Sequence, residues 1–258
     1  MKQGFSLVEL SIVLVILGLL TGGILSGQSL ITAAEQRSLV TQITTYSSSV
    51  ISFRDKYFAI PGDMNNATKF WGAADGTTGL TAACLTATAA GTCNGNGDGQ
   101  INVHSYSKES FRFWQQMALA GLIEGTYTGV TGPLDPDDVV AGGNVPTTRI
   151  ATSSVVCVVS PNFTGLGAFY PGNYGRVVYR IGADANASNL NGDSVIVTNE
   201  MAWNIDNKMD DGKPGAGRVT TFKNSYRPNC ASSDDPAAAE YQLTVTGKAC
   251  VLNIPSGI

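Results

Sequence analysis

Residues 1–20 read MKQGFSLVELSIVLVILGLL, an apolar run behind a Met1-Lys2-Gln3-Gly4 leader that is interrupted by a single carboxylate, Glu9. An ionised side chain near the bilayer centre costs roughly 2.5–3.5 kcal/mol on insertion scales, so an acid in such a run marks a functional position that needs a partner. No charged residue follows between Leu10 and Ala34, a stretch longer than the about 20 residues that span a membrane as helix. Lys2 marks the cytoplasmic end, and the positive-inside rule sends everything after Ala34 to the outer side. A cleavable secretory signal places its small-residue site after the apolar run. Here the small residue, Gly4, stands in front of it.

The helical pattern continues beyond the apolar run. Leu39, Ile43, Tyr46, Val50, Phe53 and Tyr57 recur at spacings of four and three, one apolar stripe that packs the second half of a long helix onto a globular body. Ile60-Pro61-Gly62-Asp63 ends the pattern, because proline disfavours helix in the residue before it. At about 1.5 Å per residue, Phe5 to Tyr57 spans about 80 Å as one helix. A membrane helix followed by a separate soluble helix fits the same stripe, and Gly22, Gly23 and Gly27 are the weak points between the two halves.

After Asp63 the chain turns to Gly, Asn, Thr and Ala with short strand patterns. Asp63 is expected to cap a short helix running to Trp71, and a second helix is expected from Ser107 to Ala120, stopped by Gly121. Strand candidates are 154–159, 176–181, 193–198, 218–222, 241–246 and 248–253, the last two forming a terminal hairpin around Gly247. The expected fold class is α+β: a long N-terminal transmembrane and stalk helix packed on a C-terminal head with a mainly antiparallel sheet. The organisation divides as a leader over 1–4, a helix over 5–57 (membrane part about 5–30, stalk part about 31–57) and a head over 58–258.

Gly4-Phe5-Ser6-Leu7-Val8-Glu9-Leu10 resembles the processing motif of type IV prepilins and of the pseudopilins of type II secretion. The resemblance is specific over Gly4 to about Asp63 and weak across the head. It implies that a prepilin peptidase cuts after Gly4 and methylates the new amino terminus at Phe5. The freed α-amino group is cationic at neutral pH and Glu9 lies one helical turn away, so the two charges pair within a chain or between staggered neighbours. Staggered pairing makes Glu9 a register device for assembly, since two buried charges are tolerated only where each finds the other. The resemblance further implies other pilin or pseudopilin subunits and inner-membrane assembly machinery as partners, with the chain held in the inner membrane and then drawn into a periplasmic or extracellular fibre. Many type IV pilins carry a helix-breaking proline where this chain has Ser26.

Five cysteines in an exported head point to disulfides. Cys84 with Cys93 closes a short loop, and Cys230 with Cys250 ties the segment before the terminal hairpin to its last strand. Other connectivities stay compatible with the spacing. Cys157, within Val155-Val156-Cys157-Val158-Val159, reads as a buried small hydrophobe.

Calcium is the one ion the sequence suggests, and no cofactor is required. Asn94, Asn96, Asp98 and Gln100 alternate around glycines like the front of an EF-hand loop, with Ser105 at the position of the bidentate glutamate. A glycine-rich turn with Asn and Asp chosen for positive φ accounts for the same residues. Asp206, Asp210 and Asp211 form a second acidic group, the first two one helical turn apart. The resemblance to the major pseudopilins, which hold calcium in a late loop of the head, implies the same for this group. Lys208 and Lys213 neutralising those acids on a solvated surface is the competing reading.

A net charge of −4 argues against general nucleic-acid binding. His104 is the only histidine, and no nucleophile, phosphate-loop or metalloprotease pattern accompanies it, so the head is not expected to be an enzyme. Two functions follow. One is a structural fibre subunit, in a pilus or in a pseudopilus that acts as piston or scaffold for protein secretion. The other is a low-abundance minor pilin whose head binds a surface ligand or DNA at the fibre tip, for which Trp71, Trp114 and Trp203 are the candidate contact residues, although core packing is the favoured reading of each.

Overall fold

A computed structural model describes residues 6–74, 84, 90–101, 109–133, 138–151, 154–159, 177–184, 192, 194–221 and 229–257. Gly4, Phe5 and His104 lie outside the described residues.

Helix α1 runs unbroken over Leu7–Tyr57. The chain divides into two compact units, Met1–Ser38 and Leu39–Ile258, so the second half of this helix belongs with the head. In the first unit the large apolar side chains from Leu7 to Ile31 are all exposed, and the helix is long and apolar enough to cross a membrane. Gly22, Gly23 and Gly27 have open space around them and the helix passes through them without a break. In the second unit the stripe is buried at Leu39, Ile43, Tyr46, Val50 and Phe53 and half-buried at Tyr57. One helix thus carries an exposed apolar surface and a core-forming stripe in succession, as its pattern of apolar residues dictates.

The helix stops at Phe58, which adopts φ 55° and returns its N–H to the Arg54 carbonyl at 2.8 Å. This is a left-handed C-terminal cap of the kind glycine usually provides. A short helix α2 follows at Thr68–Trp71, then α3 at Glu109–Leu119, with Gly121 (φ 71°) stopping its last turn. The expected helix from Asp63 is confined to α2, because the Asp63 carboxylate is used elsewhere, as described below.

The sheet is antiparallel in the order β1 (Ser154–Val159), β2 (Val178–Ala183), β5 (Leu252–Pro255), with a separate pair β3 (Val197–Thr198) and β4 (Lys248–Cys250). Cys157 faces Arg180 and Tyr179 faces Ile254 in the register. The strand expected at 193–198 shrinks to Val197–Thr198. The expected terminal hairpin around Gly247 does not form: among residues 241–246 only Tyr241 makes a bridge, to Ala231, and Val245 closes a turn on Gln242. Thr220 supplies a single bridge to Asn253 where a strand over 218–222 was expected.

The core lies between the second half of α1, α3 and the sheet. Trp114 of α3 meets Tyr46 of α1 edge-on at 5.0 Å, stacks on Tyr179 of β2 at 6.1 Å and meets Phe113 at 5.0 Å. A helix that the sequence reading missed, α4 at Asn199–Met209, is capped by Thr198, whose hydroxyl accepts the Met201 N–H.

Candidate functional site

Ser6 opens α1 as its N-cap. Its hydroxyl accepts the Val8 N–H at 3.3 Å, and the Glu9 carboxylate reaches back to the Ser6 N–H at 2.9 Å. This reciprocal arrangement is a capping box, and its Ser-x-x-Glu signature stood in the sequence at 6–9 unread. Glu9 therefore has an in-chain partner in the uncleaved chain, at the end of the helix where the positive end of the macrodipole also favours a carboxylate.

The loop at 94–100 is organised around Asp63. The Asp63 carboxylate accepts the N–H groups of Gly97 at 2.7 Å, Asp98 at 3.1 Å and Gly99 at 2.9 Å. Burial raises the Asp63 pKa, and those three N–H groups oppose the rise. Three of the four side chains proposed from sequence accept backbone N–H groups: Asn94 Oδ1 accepts the Thr68 N–H, Asn96 Oδ1 accepts the Asp98 N–H, and Asp98 Oδ1 accepts the Gln100 N–H. Gln100 is exposed. The loop is a nest of N–H donors closed on the Asp63 carboxylate, which is an anion-binding polarity.

The second acidic group converges. Asp206 and Asp210 occupy successive turns at the end of α4, and each of Asp206, Asp210 and Asp211 presents one carboxylate oxygen such that all three oxygens lie within 4.8 Å of one another. Asp206 is fully buried; it accepts the Tyr241 hydroxyl at 2.9 Å and the Gly212 N–H at 3.2 Å. Asp210 Oδ2 takes the N–H groups of Arg218 and Val219. Gly217 has φ 75°, and a Cβ there would lie 1.8 Å from that oxygen, so only glycine fits. Asp211 caps the Lys213 N–H at 2.9 Å. Tyr241 stands 35 residues from Asp206, and nothing in the sequence pointed to it. Three carboxylates supply up to half of the six to eight oxygens calcium takes, in a donor set of the right hardness.

Burial, and behind it the repulsion of Asp211 and Asp210, raises the Asp206 pKa to about 7 against hydrogen bonds from Tyr241 and Gly212 that lower it. Burial and the adjoining Asp206 push the Tyr241 hydroxyl well above its ordinary range. An acid that holds its proton more tightly in the fold than in the unfolded chain contributes stability that is full below the unfolded value and lost as the pH rises through the folded one. The metal-free chain therefore loses stability from about pH 4 to about pH 7 on account of Asp206. Asp206→Asn flattens this slope and stabilises by roughly 2 kcal/mol near pH 8, after discounting for solvent around the exposed Asp211. Melting curves of both proteins at acid and alkaline pH check this; identical pH dependence would exclude Asp206 as the proton holder.

Cys84 bonds Cys93 and Cys230 bonds Cys250, and Cys157 is buried in β1 outside both disulfides. Gly192 packs on the Cys157 sulfur so closely that a Cβ would lie 2.5 Å from it. Of the three tryptophans, Trp114 is core, Trp71 is half-buried in a ring cluster with Tyr57 and Phe70, and Trp203 is 37 % exposed beside the acidic loop. The exposed aromatic side chains of the head include Phe58 and Phe70, which sequence reasoning did not single out.

Residues 1–25 match the family model for the prokaryotic N-terminal methylation motif. No curated protein and no solved structure matches the chain. The motif is characteristic of type IV pilins and pseudopilins, and here it runs into the first half of a long apolar helix that is followed by a C-terminal antiparallel sheet, the α+β pilin-like architecture. The chain carries the signature of a type IV pilin-like or pseudopilin-like processed subunit.

Proposed function

We propose that the chain is a structural subunit of a type IV pilus or a type II secretion pseudopilus, cut by prepilin peptidase after Gly4, methylated at Phe5 and assembled into a helical fibre through α1. The observation that carries this reading is the exposed apolar surface from Leu7 to Ile31, in which Glu9 is the only charged residue. Such a surface needs lipid before assembly and other copies of itself afterwards. Removal of the leader frees a cation at Phe5 in the same turn as the Ser6 N–H that Glu9 already accepts, and exchange of that carboxylate to a neighbour's amine sets the axial register. Glu9→Gln separates the two roles, because a glutamine oxygen still closes the capping box while the charge is gone. Filament yield in a strain expressing Glu9→Gln is expected to fall at least roughly tenfold, as a buried unpaired ammonium of the neighbour costs about 3–5 kcal/mol, with Phe5 the first residue by mass spectrometry in the wild-type fibre. Ordered filaments formed by the variant at the normal rate, or an intact Met1 in assembled material, would overturn the reading.

A second reading is a low-abundance minor subunit whose head binds a ligand at the fibre tip. The exposure of Phe58 and Phe70 favours it, since large exposed aromatic surface commonly marks a contact. Copy number in purified fibres separates the two: stoichiometric amounts support the first, a few copies per fibre the second.

For the late acidic group we propose calcium, held by Asp206, Asp210 and Asp211 with oxygens from backbone or water. The Trp203 indole flanks this loop, with Nε1 at 3.4 Å from where a Gly212 Cβ would lie, so its fluorescence reports on the site. Calcium is expected to raise the melting temperature and shift Trp203 emission, both reversed by chelator; a flat response in both ends the proposal.

A further inference from the structure

Phe58 is a residue the fold does not use. Its side chain is 93 % exposed, it takes no part in the ring cluster of Phe53, Tyr57, Phe70 and Trp71 beside it, and its φ of 55° is a conformation in which glycine is at ease and an aromatic residue is strained. An aromatic kept at a strained, solvated helix cap has a contact outside the chain as its physical rationale.

The ring stands at a cleft of about 700 Å³ within the head, which is in the range of small-ligand sites. The polar part of the lining is Arg54 and Asp55 from the last turns of α1, Asn65 after the Pro61 turn, and Asp63 and Asp98 from the closed nest, beside the apolar Ala59, Ile60 and Met64. Arg54, Asp55 and Asn65 are exposed and face a ligand, whereas Asp63 is occupied by its three N–H donors and Asp98 by the Gln100 N–H and the Asn96 amide. Gly97 is packed against Asn65, where a Cβ would come to 3.1 Å of Nδ2, which fixes one wall against another.

The mix of charges selects the ligand class. An anionic ligand, nucleic acid included, meets Asp55 and Asp98 along with Arg54. A cationic ligand meets Arg54. A neutral ligand with many hydroxyls is matched by the polar walls: the Asp55 carboxylate accepts its O–H groups, the guanidinium donates to its oxygens, and the Asn65 amide does both. A flat apolar face on the same ligand covers Phe58, gaining the area that an exposed ring otherwise leaves in water. We propose that this cleft binds a neutral saccharide, with Phe58 as the stacking platform and Asp55, Arg54 and Asn65 as the hydroxyl-binding rim. This deepens the reading of a ligand-binding head, but its test is independent of where in a fibre the subunit sits.

The test uses the full chain in the sugar-free detergent lauryldimethylamine oxide, applied to an array of immobilised neutral, sulfated and amino oligosaccharides, with saturation-transfer NMR on any soluble counterpart that binds. Wild type is expected to bind at least one neutral saccharide and to transfer saturation to its ring C–H protons. Phe58→Gly, which suits the left-handed cap, and Asp55→Asn each weaken that binding at least roughly tenfold, while Phe58→Gly melts no lower than wild type. Absence of binding to every neutral saccharide, preference for the charged glycans, or Phe58→Gly binding as wild type each overturns the proposal. Loss of filaments by Phe58→Gly with binding retained also overturns it, by assigning the ring to a contact between copies; fibre formation by wild type is scored separately and bears only on the subunit reading.

Discussion

Trp114→Ala is expected to destabilise the head by about 3–5 kcal/mol, the usual cost of emptying a large aromatic from a packed core. Trp114 is the largest of the fully buried side chains and touches each layer that the head must hold together. Its ring meets Tyr46 of α1, Phe113 of its own helix and Tyr179 of β2 at 5.0–6.1 Å, and Tyr127 lies at 6.4 Å. Aromatic pairs of this kind add about 0.5–1.5 kcal/mol beyond the area they bury, so neighbours collapsing into the vacancy recover little. A change of this size lowers the melting temperature by on the order of 10 °C in a chain of this length. Guanidinium unfolding of the full chain in detergent measures it, with Trp203→Ala as the control. Trp203 is 37 % exposed and its removal is expected to cost less than about 1 kcal/mol. Equal losses in the two variants would mean that α3 is not the layer joining the stalk stripe to the sheet.

The parts of the fold that were legible are those where periodicity and burial coincide. The stripe from Leu39 to Phe53 is buried as its spacing demands, α3 follows from Phe111, Trp114 and Gly121, and β1 follows from a run of valines. Helix α4 was missed because Asn199, Asn204, Asp206 and Asn207 are poor helix formers, although Met201, Ala202 and Ile205 are buried along one side of it. The hairpin around Gly247 failed for the opposite reason: Tyr241 to Thr246 alternates like a strand, yet Leu243 is 53 % exposed and its neighbours close turns, so no ladder partner rewards the pattern. The same division runs through the site. Asp206, Asp210 and Asp211 come together because their spacing is local, while Tyr241, which hydrogen-bonds the buried member, arrives through a tertiary contact. In the 94–100 loop the ligand pattern was visible but its meaning was set by Asp63, 34 to 36 residues from the N–H groups it accepts. Local spacing reports which oxygens are near each other in sequence; it does not report which distant residue organises the loop that carries them.

Removing the Cys230–Cys250 disulfide by the paired substitution Cys230→Ala, Cys250→Ala is expected to cost about 3 kcal/mol, the chain-entropy value for a loop of this length, and more than the loss of the shorter Cys84–Cys93 loop, whose cysteines are 9 apart rather than 20. The larger bond also has a local consequence. Cys250 lies in β4 opposite Val197, and its carbonyl accepts the Ile196 N–H, so it is anchored at the strand that leads into α4. Cys230 stands at the other end of the same link, where its carbonyl accepts the Gln242 N–H and Ala231 bridges Tyr241. Asn199 at the start of α4 donates to the Asn229 and Gln242 carbonyls at 2.9 and 2.5 Å. The disulfide thus pins the segment that carries Tyr241 against the helix that carries Asp206. With the bond removed, the Tyr241–Asp206 hydrogen bond is held by fewer constraints, so calcium affinity is expected to fall with stability in the Cys230/Cys250 variant and to stay near wild type in a Cys84→Ala, Cys93→Ala variant. Denaturant unfolding of the two double variants, paired with Trp203 emission during calcium titration, separates general loosening of the head from loss of this one contact. A calcium response damaged equally in both would mean that the bond near α4 acts on overall stability alone.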